Sequence, residues 1–428
     1  LQRLSPASTA EKETAMAKLS INGERLLANL DRFAAIGATE KGGVNRQALT
    51  ALDCEARRLL AKLAIDRGFS VFQDPLANLF IRRSGRDESL APLLIGSHLD
   101  SQPSGGRFDG ALGTLSAFEV LETLEDFGID TERPIEVVAF TNEEGCRFAP
   151  GCMGSMAFAS GNIPENWLHL AATDDGAGFA GELDATLKSL PEATMRDLGF
   201  PVFAFVEVHI EQGPSLEKQG VPIGIVTGIQ GTRWLEVSIT GQTAHAGTTA
   251  LAYRRDPFHA AVNALGSLFP AMMPLDPAAR FTVGRMALQP GAVNAIPQSV
   301  TFTVDIRHPS SETLDEMESK IRAIVHDAAM DQKCEATIGQ IFDMPPANFQ
   351  DGIVSALGRA ARERGFSTER MLSGAFHDAL FMNRVAPSAM IFVPCRDGLS
   401  HNEAEHVEPE HSIAGCNMLF ASVLQILS

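Results

Sequence analysis

Apolar and polar positions along this chain follow two rhythms, and each predicts its own architecture. Over Asn22–Ala35 and Arg46–Arg67 the apolar residues recur at helical spacing. Short strands are expected at Phe69–Gln73 and Asn78–Arg83. A pattern then repeats in which a short apolar run leads into a polar cluster. Leu93–Ile95 precedes His98, and Ile135–Phe140 precedes Glu143 and Glu144. Phe203–Val208 precedes His209, and Met390–Val393 lies shortly before His401. Apolar runs of this length, separated by helical stretches, read as buried strands of a mixed, mostly parallel α/β sheet. In open α/β sheets ligands bind beyond the carboxyl ends of the strands. All four clusters fall at such an end or in the loop after one.

The second rhythm lies between these clusters. A strand is expected over Arg233–Thr240, a helix over Asp256–Phe269, strands over Phe281–Leu288 and Ser299–His308, a helix over Glu312–Ala329 and a strand over Glu335–Ile341. The order β-α-β-β-α-β is the ferredoxin-like unit. It interrupts the first pattern, which predicts an inserted domain over 228–340 between two parts of a catalytic domain, 1–227 and 341–428. The stretch GIVTGIQG (Gly224–Gly231) reads as the entry hinge, because glycine tolerates backbone angles that other residues resist. Asp256 suits the N-cap of the helix that follows it.

Composition narrows the function classes. With 45% hydrophobic and 21% charged residues the 428-residue chain is globular, and a net charge of −18 argues against nucleic acid and anionic membrane surfaces as partners. The six cysteines form no CxxC pair, which argues for reduced thiols rather than a zinc ribbon or a thioredoxin-like site. The first residues are polar, without the apolar core of a signal peptide, and no apolar stretch reaches membrane-spanning length. These features predict a cytoplasmic protein.

The clusters carry the candidate chemistry. One histidine at a strand end is usually structural, but His98, Asp109, Glu144, His209 and His401 occupy equivalent places and suit metal ligation. Imidazole and carboxylate donors without thiolate fit zinc, manganese, cobalt or nickel. Asp100, two residues after His98, is expected to accept the proton of the other imidazole nitrogen. Adjacent side chains leave an extended backbone in opposite directions. A bend at the end of the strand lets one of Glu143 and Glu144 bind metal while the other faces the bridging water and takes its proton. Two metals in one site need a bridging carboxylate, and Asp109 is the candidate.

Seven segments taken in order, GSHLDSQPSGGRFDG, FTNEEGCRF, HIEQGP, GQTAHAGTTALAYRRDP, NAIPQSVTFTVDIRH, SGAFHDA and GLSHNEAEH, resemble the dinuclear-metal amidohydrolases. Within them the resemblance is to the branch of N-carbamoyl-L-amino-acid hydrolase, allantoate amidohydrolase and β-ureidopropionase. It implies two divalent ions per subunit, with His98 and His209 on the first, Glu144 and His401 on the second, Asp109 bridging and Glu143 as base. It implies a cis peptide after Asp109 and a lid histidine, His245, that stabilises the oxyanion. Asn294 and Arg307 would hold a substrate carboxylate and Gln212 would touch substrate. The inserted domain would serve as lid and homodimer interface. His377 lies in a family motif without an assigned role. The chain departs from the family at Asn142, Ala250, Leu251 and Phe376, where glutamate, proline, methionine and glycine are usual. The implied activity is hydrolysis of an N-carbamoyl-L-amino acid to amino acid, ammonia and carbon dioxide; allantoate, another N-acyl amino acid or a dipeptide are the alternatives.

Overall fold

The computed structural model describes residues 19–273 and 276–428, so the polar opening segment read above lies outside the described residues. The chain divides into two compact units. One comprises the chain up to Thr227 together with Phe349–Ser428, and the other is Gly228–Asn348.

In chain order the first unit begins with helices α1 (Gly23–Ala34) and α2 (Ala51–Asp66) and strands β1 (Ser70–Gln73), β2 (Leu79–Arg83) and β3 (Leu93–His98). Then come α3 (Ala111–Asp126), β4 (Ile135–Phe140), α4 (Met153–Ser160), α5 (Phe179–Lys188), β5 (Thr194–Met195), β6 (Ala204–Ile210), α6 (Ser215–Gln219) and β7 (Ile223–Ile229). The second unit continues with β8 (Gly231–Thr240), β9 (Ala244–His245), α7 (Pro257–Met272), β10 (Arg280–Gln289), β11 (Ala295–Ile296), β12 (Ser299–His308), α8 (Ser311–Asp331), β13 (Glu335–Met344) and β14 (Ala347–Asn348). The chain closes the first unit with α9 (Asp351–Arg364), β15 (Thr368–Ser373), α10 (Asp378–Met382), β16 (Ser388–Val393) and α11 (Pro409–Leu427).

The large sheet runs β14-β7-β16-β6-β3-β4-β2-β1-β5, with β15 also paired to β7. Its centre, β16-β6-β3-β4, is parallel, and its flanks β7, β2 and β1 join antiparallel. Every residue of β3, β4, β6 and β16 is buried, as expected of a parallel centre covered on both faces. The sheet admits α3 close beside it because Gly113 has no side chain; a Cβ there would lie 2.2 Å from the Val208 carbonyl oxygen.

The helix expected over Arg46–Arg67 begins only at Ala51, with Thr50 as N-cap accepting from the Asp53 amide. Arg46 belongs instead to an irregular segment. Its buried guanidinium donates to the carbonyls of Leu99, Phe33 and Ile36, tying that segment to the end of β3. The boundary between the two units, Thr227 to Gly228, falls inside the stretch read as the entry hinge. Gly224 lies within β7 and Gly231 opens β8, and neither has positive φ. They are glycines for closeness: a Cβ on Gly224 would meet Met371 at 2.6 Å, and one on Gly231 would meet Leu314 at 2.7 Å.

In the second unit the four-stranded antiparallel sheet has the order β10-β12-β8-β13, the strand order of the ferredoxin-like fold. Strict alternation puts Leu235, Val237, Ile239, Val300, Phe302, Val304 and Ile306 into one core with α7 and α8. Asp256 caps α7, accepting from the Phe258 and His259 amides. The last strand runs on to Met344 and the unit to Asn348, because β14 pairs with Gly228 and Ile229 beside the point where the chain enters.

The buried glycine of β3 tests this packing. Gly96 has φ +151°, and a Cβ would lie 2.0 Å from the carbonyl oxygen of Val138, its neighbour on β4. Gly96→Ala is expected to destabilise the first unit by at least ~2 kcal/mol. Urea unfolding measures this, and an unchanged midpoint would contradict the assigned contact.

Candidate metal centre

The parallel strands deliver their polar ends to one place. His98 is the last residue of β3 and His209 is the last but one of β6. Glu143 and Glu144 follow β4, and His401 follows β16. Asp109 lies in the loop that enters α3. Ligand atoms of His98, Asp109 and His209 lie within 4.8 Å of one another, as do those of Asp109, Glu144 and His401. Asp109 is common to both groups and serves them with different oxygens. Its Oδ1 lies 3.0 Å from His209 Nε2 and 3.6 Å from His98 Nε2, whereas Oδ2 lies 3.6 Å from His401 Nε2. Glu144 Oε2 lies 3.4 Å from the same His401 nitrogen.

Hydrogen bonding sets the tautomers. His98 Nδ1 donates to the Asp100 carbonyl and His209 Nδ1 to the Ile210 carbonyl, both at 3.0 Å. Each neutral ring then presents its Nε2 lone pair to Asp109. His98 Nε2 is buried without a hydrogen-bond partner. Lone pairs and a carboxylate converging in a dry site need a cation between them, and these residues fit a divalent ion. In the metal-free chain protons fill that role. Burial alone would lower the pKa of both histidines, but Glu143 and Asp109 raise His98 well above its ordinary value and Asp109 raises His209. Burial alone would raise Asp109, but His209 and His98 hold it well below the usual carboxylate range.

The two glutamates are separated by their partners. Burial pushes Glu144 up to about 8, with Asp109 adding to it, although Gln102 donates to it from its side-chain amide at 2.7 Å. Burial also raises Glu143 well above the carboxylate range, reinforced by Asp378 and opposed by His98. One Glu143 oxygen lies 3.5 Å from His98 Nε2, and the other accepts from the Cys152 thiol at 3.5 Å. A carboxylate with a raised pKa beside a lone-pair cluster is suited to holding a proton in transit.

Asp100 orients His98, but through its main chain. Its carboxylate stands 3.8 Å from His98 Nδ1 and accepts instead from the amides of Glu143 and Glu144, at 3.3 and 3.2 Å. The turn after β3 presents the carbonyl to the ring and frees the side chain to fix the loop after β4. The peptide after Asp109 is not among the cis bonds of the described residues, which follow Ala149 and Gln289. The tight path comes from Gly110 at φ +64°, where a Cβ would lie 2.3 Å from the His98 ring. Three other residues beside the cluster also sit at positive φ: Asn142, Gln212 and His401. Asparagine tolerates that region better than most residues, and Asn142 also donates to the Phe148 carbonyl at 2.7 Å.

Gln212 turns its amide nitrogen to Asp109 Oδ2, 2.9 Å away, and to Ser400 Oγ, 3.1 Å away. Its carbonyl oxygen is buried without a partner. His377 packs on the His209 ring with 4.4 Å between centroids, and its Nε2 meets Ser373 Oγ at 2.9 Å. Burial, then His209, holds His377 well below its ordinary pKa, so it packs as a neutral ring. Glu207, His209 and His377 form a third close group, but Glu207 already accepts from Ser97 Oγ and the Ala379 amide. This group reads as a support behind His209 rather than another metal site. Glu207, Ser400, Glu405 and Gln102 are the site residues that sequence reasoning passed over. Glu405 stood in the open within HNEAEH, and Glu207 precedes His209 by two on the same strand face.

The remaining expected residues belong to the second unit. His245 is exposed, and its Nδ1 accepts from the amides of Gly247 and Thr248 at 3.1 and 3.2 Å. Its neutral ring therefore carries a proton on Nε2. β9 pairs with β11 so that His245 faces Ala295, next to the exposed Asn294. Arg307 lies on the sheet face away from α7 and α8, its Nε and Nη2 edge forked onto Asp305.

Residues 94–425 match Peptidase family M20/M25/M40. The N-carbamoyl-L-amino-acid amidohydrolase of Rhizobium meliloti is 39% identical, over 95% of this chain and 96% of that one. The allantoate amidohydrolase of Bacillus subtilis (strain 168) is 31% identical, over 91% and 94%. A crystal structure of an amidase of the hydantoinase/carbamoylase family from Burkholderia multivorans superposes with TM-score 0.89 at 43% identity, over 95% and 98%.

The protonation pattern makes a prediction about metal uptake. Glu144, titrating at about 8, and the raised histidines must shed protons to become ligands. Metal affinity is expected to climb from pH 6 through about 8, the range in which Glu144 gives up its proton. The climb should be about tenfold per pH unit for each proton displaced. Calorimetric titration with zinc in buffers of different ionisation enthalpy reads the released protons directly. Affinity that stays flat from pH 6 to 9 would refute the assignment.

Proposed function

The chain belongs to Peptidase family M20/M25/M40, and from that membership we propose that it is a metal-dependent hydrolase of linear ureido and amide C–N bonds, acting foremost on N-carbamoyl-L-amino acids. The observation that carries the reading is the division of Asp109, one oxygen toward His98 and His209 and the other toward His401 beside Glu144, with Glu143 alongside. In this reading His98, His209 and Asp109 hold one divalent ion, and Asp109, Glu144 and His401 hold a second; zinc, manganese, cobalt and nickel all suit the donors. Bound ions supply Lewis acidity that acidifies water and polarises a carbonyl.

The chain's own residues supply the rest. Glu143 takes a proton from the water that attacks the carbamoyl carbon and returns it to the departing nitrogen. His245, protonated on Nε2, donates to the developing oxyanion. Arg307 and Asn294 hold the substrate carboxylate. Gln212 offers its unsatisfied carbonyl oxygen to a ureido N–H. One water is consumed: its addition breaks one C–N bond and leaves a carbamic acid, whose remaining C–N bond then breaks as it falls apart to carbon dioxide, so that amino acid, ammonia and carbon dioxide are released. Allantoate, with its own ureido groups and carboxylate, is the second reading, supported by the Bacillus subtilis relative.

The second unit is proposed as a homodimer interface. Phe258, Val262 and Phe269 expose an apolar stripe on α7, and Met286 is exposed on β10, the edge strand of its sheet. Such a surface beside an unpaired strand edge is suited to a second copy of itself.

Three measurements test these readings. A panel of N-carbamoyl amino acids, allantoate, N-acyl amino acids and dipeptides, assayed with manganese, cobalt or zinc, should release ammonia from ureido compounds. Hydrolysis confined to N-acyl compounds would overturn the ureido reading. Glu143→Gln should keep its metal while turnover falls by about 10²–10⁴. Val262→Glu should convert a dimer to a monomer in light scattering; a parental mass would reject this interface.

A further inference from the structure

Glu405 is almost fully buried yet bears no expected ligand or base role. Its contacts converge on one residue. Glu405 Oε1 accepts from the amides of Phe108 and Asp109, at 2.9 and 3.1 Å. Its Oε2 lies 3.0 Å from Ser400 Oγ, which lies 2.8 Å from Asp109 Oδ2. The carboxylate thus reaches Asp109 by two routes, through the main chain and through a side-chain hydroxyl. Space is kept for it by Gly106, where a Cβ would stand 2.0 Å from the Glu405 carboxyl carbon. The contacts also join two distant segments, the loop that bears Asp109 and the segment that bears His401.

We propose that Glu405 is a positioning residue of the metal centre, a clamp that with Ser400 sets the direction of the Asp109 carboxylate and ties it to the segment carrying His401. The proposal rests on the reading of Asp109 as the bridge between two ions. A bridge has to aim two oxygens at once, so a rotation that suits one ion misplaces the other oxygen. A backbone clamp on the 108–109 amides fixes where the side chain starts, and Ser400 fixes Oδ2. Groups that hold metal-ligating carboxylates in this way typically carry about 10–100-fold in metal affinity.

The test uses metal-free full-length protein and the variants E405A, E405Q and S400A. Circular dichroism and melting verify the fold of each. Hydrogen exchange is followed in the peptide spanning residues 107–110, and zinc affinity and stoichiometry are measured against a chelator. In E405A the 108–109 amides should exchange about tenfold faster and zinc should bind about 10–100-fold more weakly. E405Q should recover both, because its amide oxygen can replace Oε1; a fourth variant, E405M, fills the same space without that acceptor and should not recover them. S400A should keep the amides protected while loosening one of the two zinc ions more than the other. Parental exchange and zinc affinity in E405A overturn the proposal. Should E405A fail to fold, S400A decides, and uniform parental affinity for both ions overturns it. A parental chain that takes fewer than two zinc ions counts against the dinuclear reading instead, and the amide exchange still judges the clamp.

Discussion

The first unit is organised around a desolvated excess of carboxylates that the sheet end must neutralise. Asp100, Asp109, Glu143, Glu144, Glu207, Asp378 and Glu405 are all withdrawn from solvent near His98 and His209. Burial of an unpaired charge is costly, so each must find a donor, a cation or a proton. Part of the answer is main-chain: amides of Glu143, Glu144, Phe108, Asp109 and Ala379 point into carboxylates. Protons answer the rest in the metal-free chain, and a bound cation would do the same.

This constraint explains the backbone around the site. Gly110 lets the Asp109 loop press on the His98 ring, and Gly106 leaves room for a buried glutamate. Asn142, Gln212 and His401 hold positive φ, a conformation that survives only where the surroundings fix it, and it clusters at functional positions. The parallel centre of the sheet supplies rigid starting points, so the strained segments are short.

Much of the arrangement was legible because strands announce themselves by apolar runs and the chemistry sits where the runs stop. The ferredoxin-like unit was readable from alternation alone, as Ser299–His308 shows, with its odd and even residues divided between solvent and core. What escaped depends on partners remote in sequence. Asp100 was expected to serve its neighbour His98, but its carboxylate is taken by Glu143 and Glu144 from another strand. Spacing predicts local contacts and is silent on such substitution. Glu405, one more acid in HNEAEH, is indistinguishable by composition from a solvated charge. Gly224 and Gly231 also leave room for Met371 and Leu314, packing that the sequence does not display.

Strand order has a consequence for how the protein is made. β6 and β7 follow one another in the chain but are not neighbours; β16 lies between them. A nascent chain therefore leaves a slot between β6 and β7, toward one side of the sheet, while the whole second unit is synthesised. The slot closes only when residues 388–393 arrive, and His401 follows them. His401 comes last in the chain among the residues proposed to hold metal, so a chain that stops before β16 and its following loop lacks that histidine.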